Sequence, residues 1–202
     1  MNTNRLEAFS DGVIAIAITL LVLDIKVPPT KGTHGSLAHQ LGQQWPSYAA
    51  YVISFLTIGI IWINHHAMIR RATRADHKLL TLNLFLLLTI GILPFTTALM
   101  AEYLRADQGQ HLAAAIYASS FVALSIAFNS MHRYLLRSDL VNDQIGEAER
   151  RAIIRRNVAG LIPYLVALAA APLSPYVTVA ICGAVAGFYA LPSTTADAVV
   201  DQ

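Results

Sequence analysis

Arg5-Leu6-Glu7-Ala8-Phe9-Ser10-Asp11-Gly12 runs without a break into Val13-Ile14-Ala15-Ile16-Ala17-Ile18-Thr19-Leu20-Leu21-Val22-Leu23. An arginine, a serine and an aspartate therefore open a segment that reads as a membrane-spanning helix. Ionisable groups at membrane depth are costly and persist where partners or water meet them, so they mark a functional site by default. The rest of the helix is almost wholly apolar.

Composition agrees with a membrane as solvent. Of the 202 residues, 55% are hydrophobic and 13% charged, where soluble domains carry about 25% charged residues. The charge deficit selects a bundle of spanning helices over a soluble domain. A net charge of +2 gives no argument for a nucleic-acid partner. The single cysteine, Cys182, excludes an intrachain disulfide and reads as a small packed side chain.

Apolar runs of about 20 residues predict six spans, at about 6–27, 45–69, 79–103, 111–136, 157–173 and 175–191. Pro28-Pro29 closes the first, Trp45, Tyr48 and Tyr51 supply interface aromatics to the second, and Pro94 predicts a kink in the third. The expected architecture is an all-α membrane protein with residues 1–202 in one domain. A cleaved signal peptide fits the first segment poorly, because Glu7 and Asp11 precede its apolar core and no small-x-small site precedes Asp24-Ile25-Lys26. With the amino end inside, 11 of the 14 lysines and arginines fall on the cytoplasmic side: Arg5, Arg70, Arg71, Arg74, Lys78, Arg133, Arg137, Arg150, Arg151, Arg155 and Arg156. Lys26, Lys31 and Arg105 fall outside. This split predicts that both termini are cytoplasmic.

On the first helix, 100° per residue places Ile16, Leu20 and Leu23 within about 60° of one another, with Phe9 and Gly12 continuing the stripe and Asp11 about 140° from Ile16. Periodicity alone does not select this stripe, since Ile14, Ile18, Leu21 and Val22 are equally apolar. On the second helix, Trp62 and His65 of Trp62-Ile63-Asn64-His65-His66 share a face at i, i+3. They match Ser10 and Asp11 in depth, which makes Arg5, Ser10, Asp11, Trp62 and His65 a candidate polar clamp. Metal binding by His65 and His66 is not expected, because adjacent helical side chains diverge by about 100° and no acidic ligand stands beside them in the sequence.

Arg5…Phe9-Ser10-Asp11-Gly12 before an Ile/Leu/Thr-rich helix, with Trp62-x-x-His65 on the next, resembles the transmembrane protein 175 family of potassium channels. The resemblance brings Phe9 into the clamp motif and implies a short prokaryotic member in the cell (inner) membrane. It implies a homotetramer around a pore lined by the first helix of each subunit. It further implies no Thr-Val-Gly-Tyr-Gly carbonyl filter; none occurs here. In its place the family has rings of aliphatic side chains starting five residues after the motif aspartate, which fall on Ile16, Leu20 and Leu23. Thr19 matches a hydroxyl position near the constriction, and its alternative role is a bond back to the Ala15 carbonyl.

The function that this resemblance implies is a potassium-permeable channel, selective for potassium over sodium, with permeant potassium near Ile16 and Thr19 and no cofactor. A narrow apolar ring excludes water and conducts when it widens enough to wet. Proton leak through the same pore is compatible with this reading. The competing reading is a proton-coupled secondary transporter using Asp11 and His65; no inverted repeat supports it. An enzyme is not expected, as no nucleophile with a base, metal set or phosphate loop is present. The loop from Pro28 to Gln44, with Lys31, His34 and His39, reads as a connector.

Overall fold

Apolar runs closed by prolines and capping side chains form nine α-helices among the described residues, which in the computed structural model are 3–30, 35–141 and 146–191. Helix α1 (Thr3–Leu20) tightens into a 3₁₀ turn, Leu21–Asp24. The first span thus ends at Asp24 rather than Val27. Ile25 is already extended (φ −84°, ψ 97°), and Val27 is kept from helical backbone by the ring of Pro28. Helix α2 (Leu37–Gln43) is a short element in the connector, where Ser36 accepts the His39 amide at 3.3 Å. Lys31 and His34 lie outside the described residues.

Helix α3 (Trp45–Arg70) matches the second expected span. The third expected span is two helices, α4 (His77–Gly91) and α5 (Leu93–Tyr103), separated at Ile92. Pro94 explains the break, since its missing amide and its ring interrupt the helical ladder one turn back. Asp76 caps α4 by accepting the Leu79 amide at 2.8 Å, and the Tyr134 hydroxyl also donates to it. The bond from Tyr134, then that from Leu79, holds the Asp76 carboxyl below the ordinary carboxylate range. Helix α6 (Gln110–Arg137) starts after Gly109, whose φ of 82° and whose absent Cβ, 2.9 Å from Tyr103 Cδ1 if built, require glycine.

The fifth expected span begins earlier than its apolar stretch. Helix α7 (Glu147–Ala159) carries the four arginines, and α8 (Ile162–Ala170) follows a break at Gly160-Leu161. Charge ends a hydrophobic run at the interface but not a helical hydrogen-bond ladder. Helix α9 (Pro175–Ala190) is the last among the described residues. Among the described residues, five segments are long and apolar enough to cross a membrane: Thr3–Asp24, Trp45–Arg70, His77–Tyr103, Gln110–Arg137 and Arg150–Ala170. The 16 residues of α9 reach about 24 Å, against about 30 Å of hydrocarbon.

Contacts place Lys26 and Arg105 at one end of the bundle and the turn that carries Arg71 and Arg74 at the other. One end joins α1 to α3 through Glu7 and His66, and the α3–α4 turn to the end of α6 through the Thr73 amide and Leu140 carbonyl at 2.8 Å. The other end joins Lys26 to Glu102 (3.9 Å) and Arg105 to the Gln43 carbonyl (3.3 Å). Between the ends, hydroxyls satisfy one another, as any polar group within a bilayer must. Ser54 Oγ lies 2.7 Å from Thr97 Oγ1 and 3.0 Å from the Tyr117 hydroxyl, and Thr96 donates to Ser120 at 3.1 Å. These bonds tie α3, α5 and α6 around Tyr117 and Phe121, both fully buried. Helix α1 packs on α3, α4 and α5 and keeps one face uncovered.

Candidate functional site: the first helix and the polar cluster behind it

Ser10 is fully buried on the inner side of α1, where its hydroxyl donates to the Leu6 carbonyl at 2.8 Å. The Asn83 side-chain amide on α4 donates to Ser10 Oγ at 3.0 Å, and Asn83 Oδ1 lies 2.8 Å from Nε2 of buried His65 on α3. An amide oxygen only accepts, so the His65 proton at this contact sits on Nε2. Beside this chain of bonds, Trp62 Nε1 donates to Asp11 Oδ1 at 2.8 Å. One turn further toward the amino end, His66 Nδ1 is 2.6 Å from Glu7 Oε1.

The expected clamp residues are thus distributed in three ways. Asp11 and Trp62 meet directly. Ser10 and His65 meet through Asn83, which sequence reasoning missed. Arg5 and Phe9 lie exposed on the outer side of α1. The signal for Asn83 was a lone amide inside the apolar run Leu82-Asn83-Leu84, a group that needs a partner at that depth. The premise used against metal at His66 also changes, because folding brings Glu7 and Asp11 alongside it.

The two sides of α1 differ sharply. Leu6, Ser10, Ile14, Ala17 and Leu21 are at most 3% exposed, whereas Ile16, Leu20 and Leu23 are 61%, 44% and 70% exposed. Leu23 keeps to the outer side although it sits on the 3₁₀ turn, where the phase advances about 120° per residue. Thr19 is exposed on the same side, and its hydroxyl donates to the Ile16 carbonyl at 2.9 Å rather than to that of Ala15. That bond spends the proton and leaves oxygen lone pairs outward.

The sequence profile of the family described as endosomal/lysosomal potassium channel TMEM175 matches residues 5–94, a stretch containing the whole polar cluster and the exposed face. A potassium channel of Streptomyces collinus is 45% identical over 200 residues, covering 97% of each chain. The chain belongs to the TMEM175 family. The crystal structure of a homologue, from Chamaesiphon minutus, of the lysosomal potassium-selective channel TMEM175 matches with a TM-score of 0.83 and 41% identity. That match covers 95% of this chain and 98% of the other. The endosomal/lysosomal proton channel TMEM175 of Gallus gallus is 42% identical over 110 residues, which is 51% of this chain and 22% of that protein. The TMEM175 relatives are thus named as ion channels, and this chain is a membrane protein of that all-helical fold.

Proposed function

We propose that this TMEM175 chain is the subunit of a potassium-permeable channel in the cell membrane of a prokaryote, four copies surrounding a pore lined by the outer side of α1. In this reading the chain crosses the membrane six times, with α9 as the short sixth span and both termini cytoplasmic. Ile16, Leu20 and Leu23 form successive aliphatic rings. The observation that carries the reading is the contrast across α1: an aliphatic face left uncovered within the subunit, backed by a face at most 3% exposed and fixed by buried hydrogen bonds. A helix held rigidly from behind presents its free side chains at a set radius to the pore axis.

The mechanism rests on the physics of such rings. An apolar constriction excludes water, and a bare cation does not cross until the ring widens and wets. Tilting α1 against α3 and α4 changes that radius. The Asp11–Trp62 and Ser10–Asn83–His65 bonds anchor its amino end during the movement. Selectivity for potassium over sodium arises from the cheaper dehydration of potassium, assisted by the Thr19 hydroxyls, and proton leak uses the same path. No step calls for a cofactor.

The test is cation flux into proteoliposomes of the purified chain, wild type against Ile16→Ala, in potassium and then in sodium. Passive potassium flux exceeding sodium flux and altered by the substitution is the expected result. Flux unchanged by Ile16→Ala removes Ile16 from the pore, and uptake that needs a proton gradient favours the transporter.

A further inference from the structure

On α6, Ile126, Asn129, Ser130 and Arg133 stand at i, i+3, i+4 and i+7, along one side of the helix. Opposite them Ile154, Asn157, Val158 and Leu161 repeat the same spacing on α7 and the turn after it. The two stripes line an open groove of about 180 Å³. Its floor is fixed by hydrogen bonds: Asn129 Nδ2 donates to the Asn157 carbonyl at 3.2 Å, and Asn157 Nδ2 to His132 Nδ1 at 2.7 Å. Since α8 also packs on α6, the two strands of helix run antiparallel. Ile126 and Leu161 therefore share the deep end, and Arg133 lies at the mouth.

Arginines extend both stripes beyond that mouth. Arg137 follows Arg133 at i+4 on α6, and Arg150 precedes Ile154 by four residues on α7. Arg137 closes the fourth membrane-crossing segment and Arg150 opens the fifth, so both stand where hydrocarbon gives way to headgroups. Arg133 and Arg137 pair with no carboxylate among the described residues. Arg150 lies 3.6 Å from exposed Glu147, yet its Nε is shielded from solvent and has no hydrogen-bond partner. None of the eight groove residues is acidic.

We propose that this groove binds one anionic glycerophospholipid of the surrounding leaflet. Its phosphate sits at Arg133 and Arg150, and the start of one acyl chain lies along Ile126, Val158 and Leu161. The gradation of the groove matches that of the lipid. Guanidinium groups suit a phosphate, and basic pockets between spanning helices hold anionic headgroups. A zwitterionic lipid would bring an ammonium group to a mouth with a surplus of positive charge. From Arg133 to Ile126 the groove runs seven residues, about 10 Å of helix, which takes the upper part of a chain. The lipid ties α7 to α6; binding rests on membrane location, not on the channel reading.

Native mass spectrometry of the purified, delipidated full chain tests the site without measuring flux. The chain is mixed in detergent with equal amounts of dioleoyl phosphatidylglycerol and dioleoyl phosphatidylcholine. Wild type is expected to retain one phosphatidylglycerol per subunit, favoured over phosphatidylcholine by about fivefold or more. Arg133→Gln and Arg150→Gln should each weaken that adduct about fivefold, and together by well over that. Arg74→Gln removes the same charge at the same end of the bundle but outside the groove, and should leave the adduct near wild type. Gel filtration checks that each variant keeps the wild-type assembly, and Arg133→Gln alone carries the test should Arg150→Gln fail to assemble. Equal retention of the two lipids, or a loss in Arg74→Gln as large as in Arg133→Gln, overturns the proposal. So does the absence of any lipid adduct, the result expected of a groove covered by a neighbouring subunit.

Discussion

Asn83 Oδ1 lies 2.8 Å from His65 Nε2, and through the donating end of the same amide Asn83 also holds Ser10, so one α4 side chain locks α1 to α3. None of the three has water to fall back on, because all are fully buried. Interhelical hydrogen bonds in membranes average only about 0.6 kcal/mol, since separated helices find other partners. Orphaning a buried donor or acceptor costs more, about 1–3 kcal/mol.

Asn83→Leu is nearly isosteric but strands His65 Nε2 and takes from Ser10 its α4 partner, leaving the serine only its bond to the Leu6 carbonyl. Its expected effect is a loss of about 1–3 kcal/mol, seen as a lower melting temperature of the detergent-solubilised chain. Adding Ser10→Ala should cost little more, because the serine has already lost its α4 partner. Full additivity of the two losses would show that they do not act through one network.

The Trp62–Asp11 bond leads to a different expectation. Trp62→Phe removes the donor and Asp11→Ala the acceptor, so either alone should produce most of the defect of both. A double-mutant cycle on melting temperature and on potassium flux is expected to give a coupling of about 1 kcal/mol. Asp11→Asn should retain more stability than Asp11→Ala, as its amide oxygen still accepts from the indole. A coupling indistinguishable from zero would dissolve the clamp into two unrelated surface residues.

What the sequence reveals and what it conceals here have physical causes. Trp62 and His65 were legible together with Ser10 and Asp11 because polar groups at matching depth on apolar helices must find one another. Asn83 was concealed because a single amide has no period. Glu7 and His66 were concealed because a pairing across helices depends on their rotation, which an all-round apolar helix does not encode. The same ambiguity left the outer stripe of α1 open: Ile14 and Ile16 are alike in sequence, and packing on α3 and α4 is what buries one to 1% and leaves the other 61% exposed. The early start of α7 was hidden for another reason: Arg150, Arg151, Arg155 and Arg156 end a hydropathy run without ending a helix.

At the end of the bundle where Asp76 meets Tyr134 and the Leu79 amide, stability should depend on pH. The carboxyl is held below the ordinary carboxylate range by these two donors. The unfolded chain therefore binds a proton at higher pH than the native one. The contribution of Asp76 is fully present above about pH 3.9, the ordinary value, and is lost as pH falls through the lowered native value. Melting curves of wild type and Asp76→Asn should differ at pH 7 and converge as the pH falls below the ordinary carboxylate value and through the lowered native one. A gap that stays constant across this range would place the contribution in the cap geometry rather than in the charge.

Thr19 offers the most direct probe of how the proposed pore would discriminate between cations. Its hydroxyl proton is committed to the Ile16 carbonyl at 2.9 Å, so the oxygen faces outward as an acceptor. Valine keeps the branched shape and the χ1 preference of threonine in a helix, removing the oxygen with little change to packing. If four such oxygens replace part of the lost hydration shell, Thr19→Val should lower the potassium-to-sodium flux ratio while the melting temperature stays near wild type. If the ratio is unchanged, the hydroxyl serves its own helix backbone alone, and dehydration at Ile16 carries all the selectivity. A conductance that rises while the ratio holds would instead place Thr19 within the steric constriction, one turn before Leu23.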